Sequence, residues 1–104
     1  MRYVHSLVNG NLKKTIDSQV RENPATLEPL QEVALCSQDD VNEAAAAARA
    51  AFQVWSQTPA SVRSNIMSRI VELIKSNIET LAKINSEETG KPIRESSIVE
   101  LGGV

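Results

Sequence analysis

Few side chains in this 104-residue chain have types and spacings that suit chemistry, and Cys36 is the only thiol. It precedes a predicted helix start, where a helix dipole can stabilise a thiolate. Asp39 and Asp40 follow it and oppose that stabilisation, and His5 is the only histidine available as a base. We therefore predict that Cys36 is structural and buried at the end of a strand.

His5 and the acidic pair Glu87-Glu88 do not form a reactive arrangement either. His5 has no second histidine and no cysteine at ligand spacing, which argues against a metal site, so we expect a solvent-facing or edge-strand histidine. Adjacent residues project about 100° apart on a helix. Glu87 and Glu88 are therefore expected at a solvated helix end, not as a facing catalytic pair.

The Gly90-Lys91 pair invites comparison with a phosphate-binding loop. That motif needs a glycine five residues before Gly90 and a Ser or Thr after the lysine, whereas the chain has Asn85 and Pro92 there. Gly90 instead suits the left-handed end of a helix, and Pro92 prevents its continuation. We predict no catalytic, cofactor-binding or metal-binding residue in this chain.

Composition limits the possible functions. The length suffices for one small domain, and its 41% apolar content is that of a globular chain. Much of that content is alanine, with one Phe, one Trp and one Tyr, so the core should be thin and suited to packing on something larger. A net charge of −2 without a basic stripe argues against nucleic acid as a partner.

Targeting and redox signals are equally sparse. The sequence has no run of 18 apolar residues that would span a membrane, and its N-terminal apolar run is too short for a secretory signal. A single cysteine excludes an internal disulfide. We expect a cytoplasmic protein.

The elements that would position these residues form two blocks. Residues 1–36 are predicted as strands and turns, with strands at 3–8, 16–21 and 30–35 and a turn at Asn9-Gly10. Residues 37–104 are predicted as helices. Ser37 and Asp40 resemble a capping box that starts a helix over about 38–57. Its apolar face would consist of Val41, Ala45, Ala48, Phe52 and Trp55, with Phe52 and Trp55 as packing anchors.

A second helical stretch is predicted over 59–89, with Thr58 as N-cap, Pro59 at the first position and a break at Ser76-Asn77. A last segment begins near Ile93. The expected buried face of the second helix comprises Val62, Ile66, Ile70, Leu73 and Ile74, and the apolar residues of the last segment are Ile98, Val99, Leu101 and Val104.

Several short segments occur in a telling order. They are Asn23-Pro24-Ala25-Thr26, Ala50-Ala51-Phe52 with Trp55, Arg63 with Ile66-Met67, and Glu87-Glu88-Thr89-Gly90-Lys91-Pro92. From about residue 8 to residue 95, this order resembles the N-terminal part of the NAD(P)-dependent aldehyde dehydrogenase superfamily. Leu27 departs from the glycine often found after the first segment, which leaves the tightness of this turn an open question.

The resemblance implies an α/β fold in which the chain forms the outer part of a cofactor-binding domain. Enzymes of this family oxidise an aldehyde to a carboxylic acid with NAD or NADP, through a cysteine thiolate and an activated water. None of those groups maps onto positions 1–104. The chain is therefore expected to be a truncated fragment that is inactive alone, binds no cofactor alone, and partners the remainder of a dehydrogenase subunit or another subunit.

A second hypothesis belongs to a different class. The alanine-rich face and the apolar last segment are also typical of a small helical interaction module, which would pair with a full-length dehydrogenase.

Overall fold

The computed structural model describes residues 1–96, in which short strands come first and helices follow. This mixed α/β architecture confirms the predicted fold class. The strands are β1 (Arg2–Val4), β2 (Ser6–Val8), β3 (Asn11–Lys13), β4 (Asp17–Glu22) and β5 (Pro29–Leu35), and the helices are α1 (Gln38–Trp55), α2 (Ala60–Ser76), α3 (Ile78–Thr89) and α4 (Ile93–Glu95).

The strands form two small sheets. One has the order β1-β5-β4, with β1 parallel to β5 and Val4 opposite Val33. The other is the antiparallel hairpin β2-β3, closed by Asn9 and Gly10 at φ 51° and 76°. Two consecutive left-handed residues are typical of the hairpin turn predicted there. The single strand predicted at 3–8 is wrong in one respect, because it divides at His5 and its halves join different sheets.

Helix α1 begins as its sequence predicts. The backbone N–H of Asp40 donates to Ser37 Oγ at 3.2 Å, and the N–H of Ser37 donates to Asp40 Oδ2 at 2.9 Å. The predicted cap at Thr58 is wrong, because its Oγ1 donates backwards to the Val54 carbonyl at 3.0 Å. Thr58 thus closes the end of α1, and Pro59 occupies the N-cap position of α2 without a side-chain bond.

The predicted break between α2 and α3 falls at Asn77, with φ −115° and ψ 17°. Where α2 ends, the Leu73 carbonyl accepts from both the Asn77 side-chain amide at 2.8 Å and the Asn77 backbone N–H at 3.2 Å. Gly90, at φ 76°, ends α3 in the left-handed conformation expected of it. The apolar residues predicted for the last segment, namely Ile98, Val99, Leu101 and Val104, lie outside the described residues.

Contacts divide the chain into two compact units. The first consists of Met1–Arg21 and Pro29–Thr58, and the second of Glu22–Glu28 with the described residues from Pro59 onwards. Within residues 1–96 the buried apolar side chains are Val8 and Ala82. This thin core agrees with the alanine-rich composition, because alanine offers little apolar area to bury.

The apolar face predicted for α1 is not its packed face. Val41, Phe52 and Trp55 are 58%, 63% and 44% exposed, so the prediction that Phe52 and Trp55 are packing anchors is wrong for this chain. The packed side of α1 instead carries buried Asp40 and half-buried Ala44 and Ala47. Periodicity locates an apolar stripe, but the neighbouring hairpin β2-β3 determines which side of α1 is covered.

No helix within residues 1–96 combines the length and the apolar character needed to cross a lipid bilayer.

Candidate functional site

An ion cluster joins the hairpin to α1. Lys13 Nζ lies 2.6 Å from Asp40 Oδ1 and 3.0 Å from Glu43 Oε2. The hydrogen bond from Lys13, with a second from the Ser37 N–H, lowers the pKa of Asp40 from 3.8 to about 2. Hydrogen bonds to Asp40 and Glu43 raise the pKa of Lys13 above its usual value. Both partners therefore stay charged near neutral pH, which suits a structural clip and not a proton-transfer pair.

A cleft of about 350 Å³ opens beside this cluster. Its acid and base, Asp40 and Lys13, already bind each other. Among residues 1–96, no three His, Cys, Asp or Glu side chains are grouped so that they could hold a metal ion. The cleft is lined by Lys13, Lys14, Thr15, Ile16, Asp17, Leu35, Ser37, Asp39 and Asp40.

Cys36 is exposed, so the prediction that it is buried is wrong. It occupies the short connection between the last residue of β5 and the cap of α1, where the backbone turns at the surface. Its Sγ lies 3.0 Å from Ser6 Oγ. A neutral hydroxyl is a poor base, so this contact does not activate the thiol.

The other predicted positions are also dispersed. His5 is exposed as expected, but it lies between two strands and packs edge-on against Tyr3, with ring centroids 4.8 Å apart. Glu87 is half-buried and Glu88 is exposed at the end of α3. The charged cluster of Lys13, Asp40 and Glu43 contains none of His5, Glu87 and Glu88.

Two of the segments that carry the family resemblance, Asn23-Pro24-Ala25-Thr26 and Glu87-Glu88-Thr89-Gly90-Lys91-Pro92, contact each other in the structure. A Cβ placed on Gly90 would lie 3.1 Å from Cγ and 3.7 Å from Cβ of Pro24. The turn that carries Pro24 is closed by the Leu27 N–H, which donates to the Asn23 carbonyl at 2.8 Å. Asn23 Oδ1 also accepts from the Ala25 N–H at 2.8 Å. We call this contact between the Asn23–Glu28 turn and the end of α3 the motif junction.

Side-chain hydroxyls fix the second half of the motif junction. Thr89 Oγ1 donates to the Asn85 carbonyl at 2.7 Å and accepts from the Lys91 N–H at 3.3 Å. Ser86 Oγ donates to the Lys91 carbonyl at 2.5 Å. The backbone N–H that a phosphate loop would direct at its ligand is thus used inside the turn.

The turn at the junction places a residue other than glycine in the left-handed region. Leu27 adopts φ 62°, the left-handed conformation that glycine accepts without steric cost. The turn is therefore closed with Leu27 at this position. The hydrogen bonds that close the turn hold Leu27 in a strained conformation.

An exposed apolar stripe runs along α2 in the second unit. Its members were predicted to be buried, and each is 43–46% exposed, so that prediction is wrong for this chain. We call the stripe Val62, Ile66, Ile70 and Leu73 the α2 face. It leads into a groove of about 320 Å³ at the α2–α3 break, which is lined by Ile70, Leu73, Ile74, Asn77, Thr80 and Leu81.

Comparison with known proteins relates this chain to aldehyde dehydrogenases. The aldehyde dehydrogenase family profile matches residues 12–104. The 5-carboxymethyl-2-hydroxymuconate semialdehyde dehydrogenase of Escherichia coli is 33% identical over 99 residues, which are 95% of this chain and 21% of that protein. An NAD-dependent aldehyde dehydrogenase from Sinorhizobium meliloti superposes with a TM-score of 0.91 at 32% identity, over 98% of this chain and 21% of that one.

The chain belongs to the aldehyde dehydrogenase family and corresponds to its N-terminal part. It spans about a fifth of the length of these relatives. A betaine aldehyde dehydrogenase variant from Staphylococcus aureus, solved with bound NAD+, has a TM-score of 0.88 at 27% identity, over 94% of this chain and 20% of its own.

Proposed function

We propose that this chain supplies the outer part of the cofactor-binding domain of an enzyme that oxidises an aldehyde to a carboxylic acid with NAD or NADP. The observation that carries the proposal is the superposition of nearly the whole chain on one fifth of an NAD-dependent aldehyde dehydrogenase. The motif junction supports it, because a contact between two distant segments makes the second unit a defined scaffold and not a loose helix.

The chain's role in this reaction is architectural. Aldehyde oxidation needs a thiolate, an activated water and donors for the oxyanion. The thiol present here, Cys36, is exposed and faces the hydroxyl of Ser6. We therefore expect no turnover and no nicotinamide binding from the chain alone. A cytoplasmic location is part of the proposal, because an exposed unpaired thiol is best kept in a reducing compartment.

A second candidate function is that of an interaction module that binds a complete dehydrogenase subunit. The exposed α2 face favours it, since apolar patches on small domains commonly mark binding surfaces. The two candidates differ in whether the chain replaces the corresponding segment of a dehydrogenase or binds beside it.

A chimaera tests the first candidate. This chain replaces the matching segment of the E. coli semialdehyde dehydrogenase, and NADH formation is followed with that enzyme's own semialdehyde. We expect NAD-dependent turnover in the chimaera and none from the isolated chain. An inactive or unfolded chimaera would remove the support for the scaffold role.

The same materials test the second candidate. Isolated chain is mixed with the intact E. coli enzyme and analysed by size-exclusion chromatography with light scattering. Co-elution in a fixed ratio, together with an inactive chimaera, favours the interaction module. Separate elution with an active chimaera favours the scaffold role.

A further inference from the structure

The Asn9-Gly10 turn closes the β2-β3 hairpin and is exposed to water. Both residues are exposed, and a Cβ placed on Gly10 would meet no atom within 4 Å beyond the adjacent residues. In the part of the chain that the structure describes, the Asn9 side-chain amide makes no hydrogen bond, whereas the Asn9 backbone carbonyl accepts from Asn11 Nδ2 at 3.2 Å. The amide carbon of Asn9 is therefore unshielded.

We propose that Asn9 is a site of spontaneous deamidation, and that the ion cluster of Lys13, Asp40 and Glu43 limits its rate by keeping the hairpin closed. In this reaction the Gly10 backbone nitrogen gives up its proton and bonds to Asn9 Cγ. The bond from Cγ to Nδ2 breaks, ammonia leaves, and a cyclic succinimide remains. Water then adds to either carbonyl of the ring, which gives aspartate or isoaspartate, and nothing is oxidised or reduced.

The residue that follows each asparagine distinguishes Asn9 from the others. A side chain on the next residue crowds the attacking nitrogen, and Asn9 is the only asparagine in the sequence that precedes a glycine. Pro24 follows Asn23, so that position has no N–H to react. The remaining asparagines all precede residues with side chains, and they are Asn11, Asn42, Asn65, Asn77 and Asn85.

The closed turn keeps the two reacting atoms apart. Asn9 has φ 51°, in the left-handed region, whose ψ centres on about +47°. At that ψ, the bond from the Asn9 carbonyl carbon to the Gly10 nitrogen is nearly anti to the Cα–Cβ bond that carries the amide. The reaction therefore needs the turn to open so that this backbone bond can rotate.

The contacts that anchor the hairpin therefore control the reaction. Each strand has three residues, and an isolated two-stranded hairpin is marginally stable in water. Val8, beside the turn, is buried, and at the other end of the hairpin Lys13 Nζ is bonded to Asp40 and Glu43 of α1. Because the reactive state is an opened minority, its population and the reaction rate rise when an anchor is removed.

Isoaspartate at position 9 would disturb the pairing of the two strands. Its linkage carries the main chain through the former side chain and adds one methylene to a two-residue turn. That turn sets the register in which Val8 lies opposite Asn11 and Ser6 lies opposite Lys13. We therefore expect modification at Asn9 to loosen the hairpin and to weaken the ion cluster that had restrained it.

Peptide mapping by mass spectrometry tests the assignment of the site. The chain is kept at neutral and at mildly alkaline pH, digested at intervals, and fragmented by electron transfer, which distinguishes isoaspartate from aspartate. We expect modification at Asn9, faster at the higher pH because the Gly10 nitrogen must lose its proton, while the other asparagines stay largely intact. An intact Asn9 at the end of the incubation overturns the assignment, whether or not another asparagine has reacted.

Two lysine variants test the control by the ion cluster. Lys13→Met removes the cation that joins Asp40 and Glu43, and we expect Asn9 to deamidate about two- to fivefold faster, the range that an ion pair of this kind allows. Lys14→Met is the matched control and should leave the rate unchanged. Equal rates in the parent chain and Lys13→Met, or equal acceleration by Lys14→Met, would overturn the control by the cluster.

Denaturing urea provides a second check of the same control. In urea the turn is open, so the parent chain should deamidate faster than under native conditions, and Lys13→Met should react at the parent's rate. A parent chain that reacts equally fast with and without urea would overturn the control by the cluster, because the folded turn would then give no protection.

Asn9→Gly tests the structural consequence. This variant keeps a turn sequence that accepts two left-handed residues and lacks the amide that reacts. Its urea midpoint should stay constant during the alkaline incubation, while the midpoint of the parent chain falls as isoaspartate accumulates. An equal fall in both proteins would show that the loss of stability does not come from position 9.

Discussion

Gly90 lies against Pro24 so closely that a Cβ on Gly90 would stand 3.1 Å from Pro24 Cγ. That separation is tighter than ordinary van der Waals contact between carbons. Two segments more than sixty residues apart thus share one contact, and glycine at position 90 serves both the left-handed helix end and the close approach.

Gly90→Ala should destabilise the chain more than Gly10→Ala. Both glycines have φ 76°, so both substitutions incur a backbone strain of about 1–2 kcal/mol. Only Gly90 also faces a neighbour, whereas a Cβ on Gly10 meets nothing within 4 Å. Urea unfolding followed by circular dichroism measures the difference. Equal losses would mean that the motif junction contributes no steric constraint.

Leu27→Gly should stabilise the chain by about 1 kcal/mol. Leu27 has φ 62° and is 71% exposed, so glycine relieves strain and little apolar burial is lost. Leu27→Ala is the control, since it shortens the side chain but retains Cβ and the strain. The two variants are compared by their urea midpoints, and a stabilisation by alanine equal to that by glycine would contradict the strain argument.

Ser37→Ala should cost about 1 kcal/mol of unfolding free energy, because it removes the oxygen that accepts from the Asp40 N–H. Thr58→Ala should cost clearly less, because Thr58 bonds back to Val54 and caps no helix N-terminus. Thermal melts of the two variants make the comparison. A larger loss of stability for Thr58→Ala than for Ser37→Ala would support the N-cap role that the sequence predicted for Thr58.

The ion cluster predicts a specific acid response. The pKa of Asp40 is about 2 in the folded chain, against 3.8 for an unperturbed aspartic acid side chain, so its contribution to stability is complete above about pH 4 and is lost as pH falls towards 2. Lys13→Met removes the largest cause of this lowering. The variant should therefore lose less stability than the parent chain between about pH 5 and about pH 2.

Lys14→Met is the matched control, since it removes the same charge from the next residue. The Lys14 ammonium lies 5.0 Å from the centre of the Tyr3 ring and belongs to a different contact. Urea midpoints at the two pH values are measured for all three proteins. If Lys14→Met flattens the acid response as much as Lys13→Met, the effect comes from net charge and not from the pair with Asp40.

Local signals in the sequence predicted local structure well. The capping box at Ser37, the Asn9-Gly10 turn, the break at Asn77 and the helix end at Gly90 all depend on backbone bonds within a few residues. Because the donor and the acceptor of such a bond lie within a few residues of each other, both can be identified from the sequence alone.

Long-range relations were not predictable in the same way. The contact of Gly90 with Pro24, the pairing of Lys13 with Asp40 and the exposure of Cys36 depend on how distant segments come together. The predicted buried face of α1 is wrong for a related reason. An apolar stripe such as Val41 and Phe52 indicates that a helix face favours burial, but it does not indicate which element would bury it. The family could be recognised from the sequence because several segments occur in the family's order across most of the chain.

The exposed side of α2 has a consequence for biosynthesis. In relatives of full length, roughly four times as many residues follow this segment, and a ribosome adds about 5–20 residues per second. Under the proposed function, the stripe from Val62 to Leu73 would therefore stay exposed on the ribosome for on the order of tens of seconds while the rest of the subunit is made.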